Sequence, residues 1–455
     1  MREYSLDFYS TLVAMVAVLL LGRFLLARIK FLRDFDLPEP VVGGVFVCIA
    51  IFIGYKYFSV HIAFDESLKD PLMLAFFSSI GLSADFSSLK KGGRLLVLFL
   101  VIVTGLLFLQ NIVGVGLALA MGVDPLVGLL GGSITMSGGH GTGSAWADMF
   151  AKSPYELSNA REAALAAATF GLVMGGLIGG PVARFLIRRH KLQTPHSSHS
   201  IDTNEQSTLA SNFEAPQKER LITTASFLES LALIATCLLV GNFITQISTP
   251  TLRDQLGINI PTFVWCLFCG IILRNTLAAL KIHHVFDREV SVLGNVSLAL
   301  FLALSFLIIK IWQLADIALP LIVILVVQTL MMIAYAIFIT FRFLGKDYDA
   351  SVFAAGHCGF GLGAMPTAVV NMQAVTNHYG TSHAAFMIVP LVGAFFIDII
   401  NLLVIQSFLL LRIFPQPDPQ TSLESALEST HTLSPTLDSS VQALSSLAHA
   451  IVSVC

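Results

Sequence analysis

Apolar runs long enough to cross a bilayer recur along this chain, and they constrain it more than any other feature. A membrane span needs about 20 mostly apolar residues. Five such runs precede a polar gap, at 8–28, 40–58, 71–89, 95–121 and 163–187. Five more follow it, at 222–247, 260–280, 290–311, 318–342 and 383–411. Charged residues make up only 12% of the chain, about half the share usual in a soluble protein. That balance excludes a soluble enzyme and a disordered chain, and a net charge of −3 offers no basic surface for nucleic acid. The expected class is an all-α polytopic membrane protein in contact with the lipid bilayer.

Two apolar stretches, 126–148 and 351–372, stand outside the span count. Each carries a glycine cluster that would weaken a continuous helix. Backbone released from a helix cannot face lipid, so it must line protein or water. Both stretches therefore read as re-entrant hairpins that dip in and return. The organisation expected is an N-terminal membrane repeat (1–187), a cytoplasmic linker (188–221), a C-terminal membrane repeat (222–414) and a polar periplasmic tail (415–455).

Basic residues orient the spans. With the N-terminus outside, inner loops hold Arg28, Lys30 and Arg33, then Lys90, Lys91 and Arg94, then Arg184, Arg188, Arg189 and Lys191. Both termini are then periplasmic, and the first hairpin enters from outside. His140 and His357 lie 217 positions apart, each after a glycine, and that offset also superposes Gly176 on Gly393. Each half holds an odd number of spans, so the second half is upside down. Two inverted-topology five-span repeats with broken helices mark secondary transporters, whose site lies near the midplane.

The first hairpin carries Thr135, Ser137, Gly138, Gly139, His140, Gly141, Thr142 and Gly143; the second carries Gly356, His357, Gly359, Gly361, Gly363 and Thr367. Glycine lets backbone turn tightly and approach a ligand. Free N–H groups of such turns bind carboxylates, and exposed carbonyls and hydroxyls suit sodium. The competing reading is close helix packing through small residues. The histidines either contact substrate or hold the turn through a neighbouring carbonyl. Asp398, mid-span, shares a helix face with Asn401; it binds sodium, pairs with a substrate ammonium, or makes a helix–helix bond. Gln110, Asn111 and Gln328 are polar groups in apolar helices, serving as cation ligands or as interhelical fastening. Cys266 and Cys269 have C-x-x-C spacing but sit in an apolar run, which argues against a metal or a reactive thiol. The chain has neither a phosphate-binding G-x-x-x-x-G-K-[ST] nor H-E-x-x-H, so neither ATP-driven pumping nor zinc hydrolysis is expected. The remaining energy source is an ion gradient, with no cofactor.

Several motifs resemble the bacterial sodium/glutamate symporters. They are Pro38-Glu39-Pro40 with Gly43-Gly44, Asp70–Phe77, the Ser137–Gly143 turn, Phe170–Arg184, Gly356–Gly363 and Gly393–Ile400. The likeness runs from about residue 6 to residue 414; the tail beyond departs from it. It implies two inverted five-span domains, each with a glycine-rich re-entrant loop. It also implies a homodimer in the bacterial inner membrane that takes up L-glutamate with sodium as the coupling ion. From the residues alone, three other readings stay open: a sodium-coupled carrier of di- or hydroxycarboxylates such as citrate or malate, a channel, and a membrane-embedded enzyme using His140 and His357.

Overall fold

A computed structural model describes residues 2–29, 38–85, 89–152, 154–195, 222–256, 260–281, 284–310, 314 and 317–415. Most of the expected linker (from 196 on) and the tail beyond 415 lie outside these residues. The described chain is helical apart from a short parallel pair, β1 (Arg2–Ser5) with β2 (Val60–Ala63). The first half holds α1 (Phe8–Arg28), α2 (Glu39–Phe58), α3 (Lys69–Leu82), α4 (Leu89–Ala120), α5 (Pro125–Leu129), α6 (Gly139–Phe150) and α7 (Ala160–His190). The second holds α8 (Thr224–Leu256), α9 (Thr262–Leu280), α10 (Asp287–Ile308), α11 (Ala318–Tyr335), α12 (Tyr348–Leu362), α13 (Met365–Tyr379), α14 (His383–Leu391) and α15 (Ile397–Leu409). Wide π turns follow α5, α11 and α14.

Eight of the described helices are long and apolar enough to cross a membrane. The run at 71–89 is an exception to the expected lengths: α3 has only 14 residues, and it starts at Lys69. The last span is also divided. Pro390 interrupts α14, and a π turn at Val392–Phe396 separates it from α15.

The helices pack as two groups. One contains α1, α2, α3, α8, α9 and α10; the other contains α4 to α7 and α11 to α15. Within the second group, α7 lies along α12 so closely that a Cβ on Gly171 would sit 2.2 Å from the Leu362 carbonyl. This is packing by small residues, which lets helix backbones approach in lipid. Between the groups, α6 touches α10, and Trp146 of the second group lies 6.0 Å from Phe263 of the first, which in turn packs 4.5 Å from Phe77 within its own group.

Candidate functional site

Two breaks in the helical chain meet inside the second group. Asp124 caps α5 by accepting the Leu126 N–H at 2.8 Å, and the chain leaves helical geometry at Gly132 (φ −95°, ψ −140°). The neighbouring peptide groups at Ser133 are buried and need partners. Asn111 Oδ1 on α4 accepts the Ser133 N–H at 2.9 Å, and Asn401 Nδ2 on α15 donates to the Ser133 carbonyl at 2.9 Å. Helix resumes at Gly139, whose φ of +64° is one that L-residues with a side chain rarely adopt.

The second break follows α12. Gly363 leaves the helix at φ −143°, ψ −103°, and α13 begins at Met365 with Pro366 in its first turn, where a missing N–H costs little. The Gly361 carbonyl has lost its helical partner. It accepts from Gln110 Nε2 at 2.7 Å and from the Ser137 hydroxyl at 3.2 Å. The same hydroxyl also lies 2.8 Å from Gln110 Oε1, and Gln328 Nε2 donates to the Gln110 backbone carbonyl at 2.7 Å. A Cβ on Gly139 would come within 3.2 Å of the Gly363 carbonyl. The two breaks therefore cross, and three side-chain amides on α4 and α15 bond backbone groups at the breaks, while Gln328 on α11 braces α4 at Gln110.

Beside this crossing, the Thr142 hydroxyl lies 3.5 Å from Asp398 Oδ1, within donating range. Asp398 and Asn401 do face the same way: one reaches α6, the other the break before it. A cavity of about 10 Å³ next to Thr142 and Asp398 is bounded across the group interface by Phe77, Phe263 and Leu267. That space holds at most one water or a small cation. Trp146 also borders it, and its indole N–H is buried without a partner among the described residues. A larger cavity of about 580 Å³ lies between the groups; Asp70, Asp148, Lys152 and Asn242 border it, and Phe263 borders both cavities. Unpaired buried oxygens occur on Ser133 (Oγ), Asn401 (Oδ1) and Thr367 (Oγ1).

The remaining candidates separate into two sets. Gly138 to Gly143 and His140 stand at the start of α6, beside the crossing. His140 Nε2 lies 3.0 Å from Thr169 Oγ1, whose own hydrogen goes to the Leu165 carbonyl at 2.7 Å, so the imidazole N–H is the donor. His357 stands elsewhere. It lies inside α12, five residues before the helix ends, with Nδ1 2.9 Å from Thr340 Oγ1 in the π turn after α11. Phe99, Tyr335 and Phe360 surround its ring at 5.4, 6.0 and 5.1 Å. The two histidines thus occupy different positions relative to the two helix breaks. The capping residues Asp124 and Asp347 are 223 positions apart, against 217 for the two histidines. Gly356 and Gly359 face Met372 and Ala368 of α13, the tight packing that lets α12 and α13 lie together. The Thr135 hydroxyl donates back to the Leu130 carbonyl at 2.6 Å, closing the wide turn.

A model of the sodium/glutamate symporter family matches residues 4–381. The sodium/glutamate symporter of Escherichia coli is 52% identical over 411 residues, covering 90% of this chain and 99% of its own. That of Haemophilus influenzae is 49% identical over 399 residues, covering 88% of this chain and 96% of its own. Among solved structures, a sodium proton antiporter from Methanocaldococcus jannaschii is similar at 13% identity and a TM-score of 0.40, covering 89% of this chain and 97% of its own. The matching family and relatives give no support to a carrier of citrate or malate, and they are transporters rather than enzymes. With a family match over most of its length and relatives near half identity, this chain belongs to the sodium/glutamate symporter family.

Proposed function

We propose that the chain carries L-glutamate into the cell together with sodium, by alternating access at the crossing of the two helix breaks. One observation carries the reading: the crossing, with Asp398 and Thr142 beside it, faces the interface between two separately packed helix groups. The helix starts at Gly139 and Met365 supply N–H groups and positive dipole ends for the substrate carboxylates. The Trp146 N–H is a further donor within reach of that space. Asp398 and Thr142 border a cavity of cation size and offer it hard oxygen ligands, so sodium is held there; the unpaired oxygens of Ser133 and Asn401 lie at the neighbouring break.

In this reading the two halves are inverted repeats, the breaks are the turns of re-entrant hairpins, and the group bearing them moves against the other. The second group would carry the site, and the first would form the dimer. Both termini are periplasmic, and the chain sits in the inner membrane. Asp398→Asn tests the site. Sodium-driven uptake should fall at least tenfold, with the sodium concentration for half-maximal rate raised. Unchanged sodium dependence in the folded variant would remove Asp398 from the cation site. Cysteines at Thr142 and Thr367 test the movement, since their labelling from the two sides should respond to sodium and glutamate.

A further inference from the structure

Four charges join the two helix groups at the rim of the larger cavity. Lys69 opens α3, its side chain is only 5% exposed, and its Nζ lies 2.6 Å from Asp148 Oδ1 near the end of α6. Arg161, at the start of α7, donates from Nε to the same oxygen at 2.6 Å. Glu66, in the turn before α3, lies 4.0 Å from Lys69 Nζ and 3.8 Å from Arg161 Nη2. Two of these charges, Glu66 and Lys69, belong to the first group. The other two, Asp148 and Arg161, belong to the second.

We propose that this quartet is a separable latch, in which Lys69 positions α6 through Asp148 and so favours the conformation with the larger cavity between the groups. The proposal rests on the alternating-access reading above. Its physical basis is the way the pairs divide. A buried ion pair that loses one partner leaves a costly unpaired charge. Here each group carries its own neutral pair, Glu66 with Lys69 and Asp148 with Arg161. Separation of the groups breaks only the cross pairs, Lys69–Asp148 and Arg161–Glu66, and strands no charge. The same α6 that ends at this latch begins at the helix break, with Thr142 six residues before Asp148, so a shift of the latch end moves the site end with it. Lys69 is a positioning residue: it touches neither Thr142 nor Asp398.

The test uses the full chain in proteoliposomes, with a reporter cysteine at Met149, which borders the larger cavity. Labelling of that cysteine by a membrane-impermeant maleimide is read by peptide mass spectrometry. In the otherwise unchanged chain, labelling should change on adding sodium and glutamate. Lys69→Met should lower labelling about fivefold and raise the glutamate KM from that side by a similar factor, because fewer molecules occupy the competent state. Lys69→Arg should restore both. A folded Lys69→Met protein with unchanged labelling and KM would overturn the latch. If Lys69→Met does not fold, Glu66→Ala, at a half-exposed position, must shift labelling in the same direction, and no shift would overturn it. If the reporter ignores sodium and glutamate in the unchanged chain, alternating access itself fails and the latch falls with it.

Discussion

Replacing Gln110 by Met should loosen the crossing of the two breaks without emptying space. Gln110 is fully buried, and Met is close to it in volume, so the cavity contribution is small. What is lost is hydrogen bonding: the 2.7 Å bond to the Gly361 carbonyl and the 2.8 Å contact with Ser137. A side-chain hydrogen bond between membrane helices contributes about 0.6 kcal/mol on average and up to about 1.7 kcal/mol. The Gly361 carbonyl keeps the Ser137 hydroxyl, which can then donate to it alone, so it is not left unpaired. The expected loss is therefore about 1–2 kcal/mol, below the full cost of an orphaned buried carbonyl. Thermal unfolding in detergent should show the midpoint lowered by roughly 1–2 °C. Uptake should slow as well, since the crossing sets the geometry of both helix starts. Adding Ser137→Ala should not give the sum of the two single changes, because the pair shares one contact and the Gly361 carbonyl then loses both of its side-chain partners. Strict additivity, or a Gln110→Met protein with an unchanged midpoint, would refute the assignment of Gln110 as the fastening between the breaks.

Other changes have equally definite outcomes. Gly139→Ala places a side chain at a left-handed position and against the Gly363 carbonyl; it should cost about 1–2 kcal/mol and depress uptake, read by thermal unfolding and flux. His357→Phe keeps the ring stack and loses one hydrogen bond, so the glutamate KM should stay within about twofold, the mark of a packing residue. Gly171→Val forces a side chain into the Leu362 carbonyl and should abolish folding or expression, measured by monodisperse yield in detergent.

The order of the long apolar helices was legible in the sequence because apolar length is a local property; eight of the ten expected spans are long enough among the described residues. So was the placement of the breaks to within a few residues, since glycine clusters act locally too. The length of α3 was not legible. Lys69 reads as a loop charge, yet it begins a helix because Asp148, 79 positions away, receives its ammonium in a buried pair. The roles of Gln110, Asn111 and Asn401 could be listed only as alternatives. Their contacts were out of reach of local patterns, since Gly361 lies 251 positions from Gln110 in sequence and 2.7 Å away in space. The glycine–histidine pairs suggested an internal match, but chemical likeness of short motifs does not report helix phase. His140 flanks its break, whereas His357 lies within α12 among aromatic rings.

The central claim is sodium-coupled glutamate transport by this chain. Its most direct test is uptake of labelled L-glutamate into proteoliposomes under an inward sodium gradient, repeated with potassium in place of sodium. Concentrative uptake with sodium alone is the predicted result. Folded protein that takes up no glutamate in either condition, or equally in both, would contradict the account.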